Sequence, residues 1–171
     1  MARDSLRGFY LSQSRLKARR TKELLTDKVK QQMATVERTY VDPSSVAHKI
    51  ALMCIGNCGT GVGSPIKGHL RRGGKWLQRL HAHSSVAAIT NEYRTSQTCV
   101  FCFNQVTRPL NSNGRKINGA SRCMNSGCLA FQNGRACQGR DTQASLAIAL
   151  AGLSTMIDGQ TLAPFNPRLG Q

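Results

Sequence analysis

Acidic residues are scarce in this sequence: 8 Asp and Glu stand against 24 Lys and Arg, a formal charge of +16 over 171 residues. That imbalance is foreign to most enzymes of neutral metabolites and points to a polyanionic partner, nucleic acid first. Aromatic residues make up only 5%, too few for a single-strand binder built mainly on stacking platforms. No apolar run approaches the roughly 20 residues that span a bilayer. The start, Met1-Ala2-Arg3-Asp4-Ser5, lacks the apolar core of a secretory signal. The chain is therefore expected to be soluble and intracellular: nuclear in a eukaryote, cytoplasmic or nucleoid-associated in a prokaryote. Hydrophobic residues at 40% allow a packed core, and the length suits one domain or one domain with a small insert.

Seven cysteines are present. An odd number in a reducing compartment argues against a disulfide framework. Cys54 and Cys58 stand apart, whereas Cys99, Cys102, Cys123, Cys128 and Cys137 crowd into 39 residues. Cys99-Val100-Phe101-Cys102 and Cys123 to Cys128 form two knuckles separated by 20 residues. Two such knuckles facing each other complete the tetrahedral four-sulfur shell that structural zinc prefers. The segment between them, with Pro109, Asn111, Asn113 and Gly114, suits a hairpin extension of a zinc ribbon. Cys137 is left over as a free thiol, Cys54 reads as a small core residue of a strand, and Cys58 as incidental. A closed four-sulfur site performs no chemistry, so its role is to hold a small loop-rich insert together.

Along the chain, residues 12–38 read as one long basic helix, with Leu25, Val29, Met33 and Val36 at helical spacing. Arg15, Lys17, Arg19 and Arg20 fit equally a solvated helix face, phosphate contact or a nuclear import signal. Asp42-Pro43 breaks the helix, and the apolar run Ile50–Ile55, ended by Gly56-Asn57, reads as a buried strand. The glycine-rich stretch to Gly74 lacks the Gly-Lys-Ser/Thr order of a phosphate-cradling loop. It reads instead as a basic loop in which His69, Arg71, Arg72 and Lys75 contact a polyanion. A short helix over 75–83 carries Trp76 as a packing residue for the strand Val86–Ile89. His81 and His83 read as ordinary structural histidines rather than metal ligands. Thr142 to Leu153, rich in Ala, Leu and Ile, predicts a helix.

The stretch Asn91-Glu92-Tyr93-Arg94-Thr95-Ser96-Gln97-Thr98-Cys99, with Cys102, Cys123, Cys128 and Arg140-Asp141-Thr142-Gln143-Ala144-Ser145, resembles a known family. It looks like the C-terminal part of the TnpB (OrfB) transposon-encoded RNA-guided nucleases and their eukaryotic relatives, the Fanzor proteins, which are similar to the type V CRISPR effectors. The resemblance is most specific over 91–152 and weaker back through the strand at 49–55. It implies a RuvC-like nuclease domain of the RNase H fold with an inserted zinc ribbon that binds the target nucleic acid. It further implies three carboxylates holding two magnesium ions. Asp141 matches the third of these, at the start of a helix after Arg140, a position where a plain N-cap is the alternative. In the common pattern a Glu ends the strand at 49–55, where this chain has Gly56-Asn57. In some members, Fanzors among them, that Glu is relocated to just before the Thr-Ser-x-x-Cys segment, and Glu92 occupies that place.

The family's first carboxylate, in an Asp-x-Gly context, has no counterpart here, since Asp4 is followed by Ser5-Leu6-Arg7. Two smaller departures are Phe103, where a Gly often follows the first knuckle, and Gln143, where an Asn is usual. The guide-RNA-binding N-terminal region is likewise without a counterpart, as in a C-terminal fragment, a truncated reading frame or a decayed copy.

The fold class expected is α/β, an incomplete RNase H-like (RuvC) domain with an inserted four-cysteine zinc ribbon. Its organisation is a basic helix and partial RuvC-like region over 1–90, the ribbon over 91–140, a RuvC helix over 141–157 and an irregular tail over 158–171. The expected partner is DNA, with guide RNA only in a full-length protein and no membrane. Zinc is the structural cofactor, and magnesium enters only with a complete catalytic site. The function expected is a nucleic-acid-binding part of an RNA-guided DNA endonuclease, inactive alone. The alternative is a non-catalytic zinc-ribbon nucleic-acid-binding protein. A protein-interaction adaptor is disfavoured by the +16 charge.

Overall fold

The computed structural model describes residues 2–41, 52–58, 75–83 and 85–169. The chain is a mixed α/β protein with two small two-stranded sheets, and it divides into two compact units. One unit comprises residues 1–51 and 79–86, the other residues 52–78 and 87–171. No helix among the described residues is long and apolar enough to cross a membrane.

The first unit is helical. The helix expected over 12–38 runs Gln13–Val41 (α2) and is preceded by a separate helix, Ala2–Tyr10 (α1). Leu11 and Ser12 separate them, the Ser12 hydroxyl donating back to Phe9 O at 3.1 Å. The Arg15 guanidinium sits 3.5 Å from the Phe9 ring centroid, a cation–π contact across the joint. Leu25, Val29, Met33 and Val36 are all exposed, and the buried residue of α2 is Ala34. Among the described residues α1, with 9 residues, is far shorter than the 29-residue α2. His81 lies in this unit, fully buried, with its Nε2 2.7 Å from Glu37 Oε2. It is thus the structural histidine expected, and His83 is exposed.

The second unit contains β1 (Leu52–Gly56), the start of α3 (Trp76–Ala82) and most of β2 (Val86–Thr90). β1 and β2 form one sheet. The Asn57 N–H donates to Thr90 O at 2.9 Å, which sets the C-terminal ends of the two strands side by side. The Gln78 side chain donates to Gly56 O at 3.0 Å. Trp76 is half-buried and outside the core clusters. Residues 59–74, with His69, Arg71 and Arg72, lie outside the described residues, and Lys75 is exposed.

The long C-terminal helix runs Arg140–Asp158, and it packs on the β1–β2 sheet through its small residues. A Cβ on Gly152 would fall 2.7 Å from Cys54 Sγ and 2.8 Å from Thr90 Oγ1, so only glycine permits this approach. The half-buried Cys54 behaves as the small strand residue expected, its thiol 3.8 Å from Ala149 O. On the same helix Ala147 and Ala151 pack with Phe165, all fully buried. Phe165 belongs to the tail read as irregular, which makes a single 3-10 turn at Ala163–Phe165.

Between β2 and the C-terminal helix lies the cysteine module. β3 (Ala120–Arg122) pairs antiparallel with Cys137–Gly139, in the register Ser121 opposite Gln138. A one-turn helix, α4 (Leu129–Gln132), follows the second knuckle; the Cys137–Gly139 strand is β4 and the C-terminal helix α5. The expected hairpin is present. Leu110 bridges Lys116, and Asn111 Oδ1 accepts the backbone N–H groups of Asn113 and Arg115.

Candidate metal centre and flanking carboxylates

Each knuckle is built by local backbone bonds. In the first, the Cys99 N–H donates to Asn104 O at 2.8 Å and the Phe103 N–H to Cys99 O at 2.9 Å. Closing this turn puts Phe103 at φ 58°, in the left-handed region where a residue with a Cβ costs roughly 1–2 kcal/mol. The Phe103 ring meets Phe165 edge-on with centroids 6.1 Å apart, a contact worth about 0.5–1.5 kcal/mol, which offsets much of that strain. In the second knuckle the Cys123 N–H donates to Ala136 O at 2.9 Å and the Cys128 N–H to Asn125 O at 3.0 Å. Asn125 Oδ1 also accepts the Gly127 N–H, which tightens the turn.

The knuckles bring their sulfurs together. Cys99 Sγ and Cys128 Sγ are 3.8 Å apart, Cys102 Sγ and Cys123 Sγ 3.6 Å, and all four lie within 4.8 Å of one another. Cys99, Cys123 and Cys128 are buried and Cys102 half-buried. Cys137 stands on β4, exposed and outside the group, as a free thiol. Four thiols so close cannot all ionise in isolation. Burial pushes the Cys99 thiol up and the Cys123 thiol up to about 12. Burial also raises Cys128, but the backbone N–H groups of Phe131 and Ala130 and the neighbouring cysteines outweigh it and bring it down to about 7. A cation at the centre removes the mutual repulsion, so this arrangement is made to hold a metal ion.

A buried side chain of α5 ties the helix to the module. Gln143, which is buried, donates its amide to Thr98 O at 2.6 Å and accepts the Ser121 hydroxyl at 2.5 Å. Thr98 directly precedes Cys99 and Ser121 lies two residues before Cys123, so Gln143 reaches the approach to both knuckles. Its sequence signal is weak, because a single buried Gln on an Ala-rich helix leaves no periodic mark.

The carboxylates occupy different settings. Glu92 follows β2 and is half-buried, its Oε1 accepting the Cys58 N–H at 3.1 Å. Its side chain fills the space where a Cβ on Gly56 would project, overlapping Oε1 and Cδ and coming within 2.6 Å of Cγ. Glu92 therefore lies against the end of β1. Gly56 makes this possible, a role invisible in the sequence because the two positions are far apart along it. Burial, then the negative charge of Glu92 and a hydrogen bond to it, push the thiol of Cys58 up. Asp141 is exposed in the first turn of α5. The N-cap there is Gly139, so Asp141 is not the capping residue considered as its alternative role. Its carboxylate has no hydrogen-bond or ion-pair partner among the described residues. The positive end of the helix dipole favours a negative charge there.

No protein-family model matches the chain, and no curated protein matches it. Its own geometry carries the functional reading. Among the described residues the four cysteines form the one group of three or more metal-capable side chains, and neither Glu92 nor Asp141 joins such a group.

Proposed function

We propose that this chain is a nucleic-acid-binding protein related to the C-terminal part of the TnpB–Fanzor RNA-guided DNA nucleases. In this reading it is an incomplete RNase H-like domain with an inserted zinc ribbon, in which Glu92 and Asp141 correspond to two of the family's three carboxylates. The observation that carries the reading is the Glu92 side chain lying over Gly56. The family's common pattern puts a Glu at the end of the strand matching β1. Here a glycine stands at that strand end, and a carboxylate from the next strand's exit fills the space it leaves.

Zinc is the ion assigned to the cysteines. Tetrahedral zinc–sulfur bonds of about 2.3 Å imply sulfur separations of about 3.8 Å, and two of the pairs, Cys99–Cys128 and Cys102–Cys123, measure 3.8 and 3.6 Å. All four ligands being thiolates, the ion has no open position, and its contribution is to hold the module's fold.

Magnesium does not fit the described residues. The two-ion mechanism requires ligands shared between the ions, whereas Glu92 and Asp141 belong to no three-ligand group here. No cleavage step is assigned to residues 1–171. What their chemistry provides is a +16 surface that attracts phosphates.

The test is DNA binding by the zinc-loaded protein, measured by fluorescence anisotropy across a salt series, together with a cleavage assay in magnesium. Binding should fall steeply with salt, and the DNA should stay intact. Absence of binding at low salt overturns the nucleic-acid reading, and robust magnesium-dependent cutting overturns the incomplete-site reading.

A further inference from the structure

A polar groove of about 180 Å³ runs along the cysteine module at the start of α5. Its lining includes Ser96, Gln97, Gln105, Arg108, Arg140 and the buried Ser121, and no carboxylate. The two cations in it lack acidic partners. Among the described residues Arg108 donates to the Asn118 side-chain oxygen at 3.1 Å, a neutral group. Arg140 is half-buried and its guanidinium has no partner among those residues, although its backbone N–H is tied to Gly119 O at 3.0 Å. A guanidinium with no carboxylate beside it is a ready anion site.

Size and lining narrow the anion. Sites for whole nucleotides or drug-sized ligands run from roughly 300 to 1,000 Å³, well above this groove. It has no aromatic wall on which a base could stack. Hydroxyl and amide groups from Ser96, Gln97 and Gln105 supply neutral donors around the two arginines. Ser121 does not, because its proton goes to Gln143. The complement of this surface is one phosphodiester group with its bases left outside.

We propose that this groove seats a single backbone phosphate of a nucleic-acid strand, clamped between Arg108 and Arg140. The proposal rests on the nucleic-acid reading above and deepens it by fixing where the strand touches. Arg140 immediately precedes Asp141, so a strand held here passes the first turn of α5. The contact reads backbone rather than sequence.

The test uses the full zinc-loaded chain and a fluorescein-labelled single-stranded oligothymidylate, with RNA and duplex of the same length as parallel arms. Each phosphate contact with a single strand contributes about 0.7 to the slope of log affinity against log salt. The double variant Arg108→Gln/Arg140→Gln loses that one seated phosphate, so it should lower the slope by about 0.7 and weaken binding roughly fivefold near 0.1 M salt. Arg108→Lys/Arg140→Lys should keep most of the slope. Arg135→Gln/Arg168→Gln, which removes the same charge from exposed sites outside the groove, should leave it nearly unchanged. If the Arg140 variant loses its zinc or its fold, Arg108→Gln alone should still lower the slope, by up to about 0.7. A slope that ignores the groove variants, or falls as much in the control pair, overturns the phosphate seat while the nucleic-acid reading stands. Failure of the unaltered protein to bind any of the three overturns both.

Discussion

Glu92 lies where a side chain on Gly56 would have to be. A Cβ at residue 56 overlaps the Glu92 carboxylate and stem, so the two positions cannot both carry side chains in this arrangement. Gly56→Ala should therefore swing Glu92 away and break its hydrogen bond from the Cys58 N–H. Bonds to a charged group contribute about 1.5–3 kcal/mol, so a loss on the order of 1–2 kcal/mol is expected in urea denaturation. In a Glu92→Ala background the same Gly56→Ala change should be neutral or slightly stabilising, since alanine suits a strand better than glycine. Additive effects across this double-mutant cycle would place Glu92 elsewhere.

The same carboxylate also acts on the half-buried Cys58. Burial raises that thiol's pKa, and the charge of Glu92 raises it further. Glu92→Gln removes the charge and should shift the pH midpoint of Cys58 alkylation downward, as followed by mass spectrometry. Exposed Cys137 serves as an internal reference. The sign for stability follows: a thiol with a raised folded pKa stabilises the fold below its unfolded pKa, and this is lost as pH rises through the folded value. Stability should thus decline above the ordinary thiol range, less so in Glu92→Gln. An unmoved midpoint would separate the two residues.

Zinc content provides a third check. The chain should bind one zinc ion, and Cys123→Ser should abolish or severely weaken it while Cys137→Ser leaves the stoichiometry unchanged. Removing the metal with a chelator should loosen residues 98–139, seen as faster amide exchange there, with less change at the buried His81 in the first unit. Elemental analysis showing undiminished zinc in Cys123→Ser would contradict the ligand set.

Gln143 should matter more than a single helical glutamine ordinarily does. Gln143→Leu leaves Thr98 O and the Ser121 hydroxyl without their buried partner. Each unsatisfied group costs about 1–3 kcal/mol, so a total loss on the order of 2–5 kcal/mol is expected in thermal or urea unfolding. Gln143→Asn is one methylene shorter and should fall between. Equal stability of Gln143→Leu and the unaltered protein would show that the module is fastened by other contacts.

Legibility in the sequence followed the range of the forces involved. β1, β2 and α5 announced themselves through short apolar runs closed by Gly or Asn and through an Ala-rich segment, and the metal group through cysteine spacing alone. Contacts between distant segments left no such trace. Phe165 stands in a Pro-containing tail that reads as irregular, yet it fills the core beside Ala147 and Ala151. Phe103 stands where glycine is usual, and its left-handed backbone is compensated by that same distant ring. On α2 the spacing of Leu25, Val29, Met33 and Val36 marked a helix face correctly, but spacing carries no information on whether anything covers it. Glu92 was legible as a candidate by its place before Thr95-Ser96, whereas the glycine that accommodates it was not.

The hairpin at Asn111–Lys116 has a consequence for how this module can change. Its tip is exposed and closed by its own bonds, from Asn113 and Arg115 to Asn111 Oδ1 and from the Asn111 N–H to Arg115 O. The knuckles are set by other bonds, Cys99 to Asn104 and Cys123 to Ala136, which the tip does not touch. Extra residues at the tip would add only a slowly growing loop-closure entropy and would leave the sulfur geometry alone. The distance between the two knuckles along the chain is therefore a free variable. A peptide tag or a small domain inserted between Asn113 and Gly114 gives an attachment point that leaves the metal site intact.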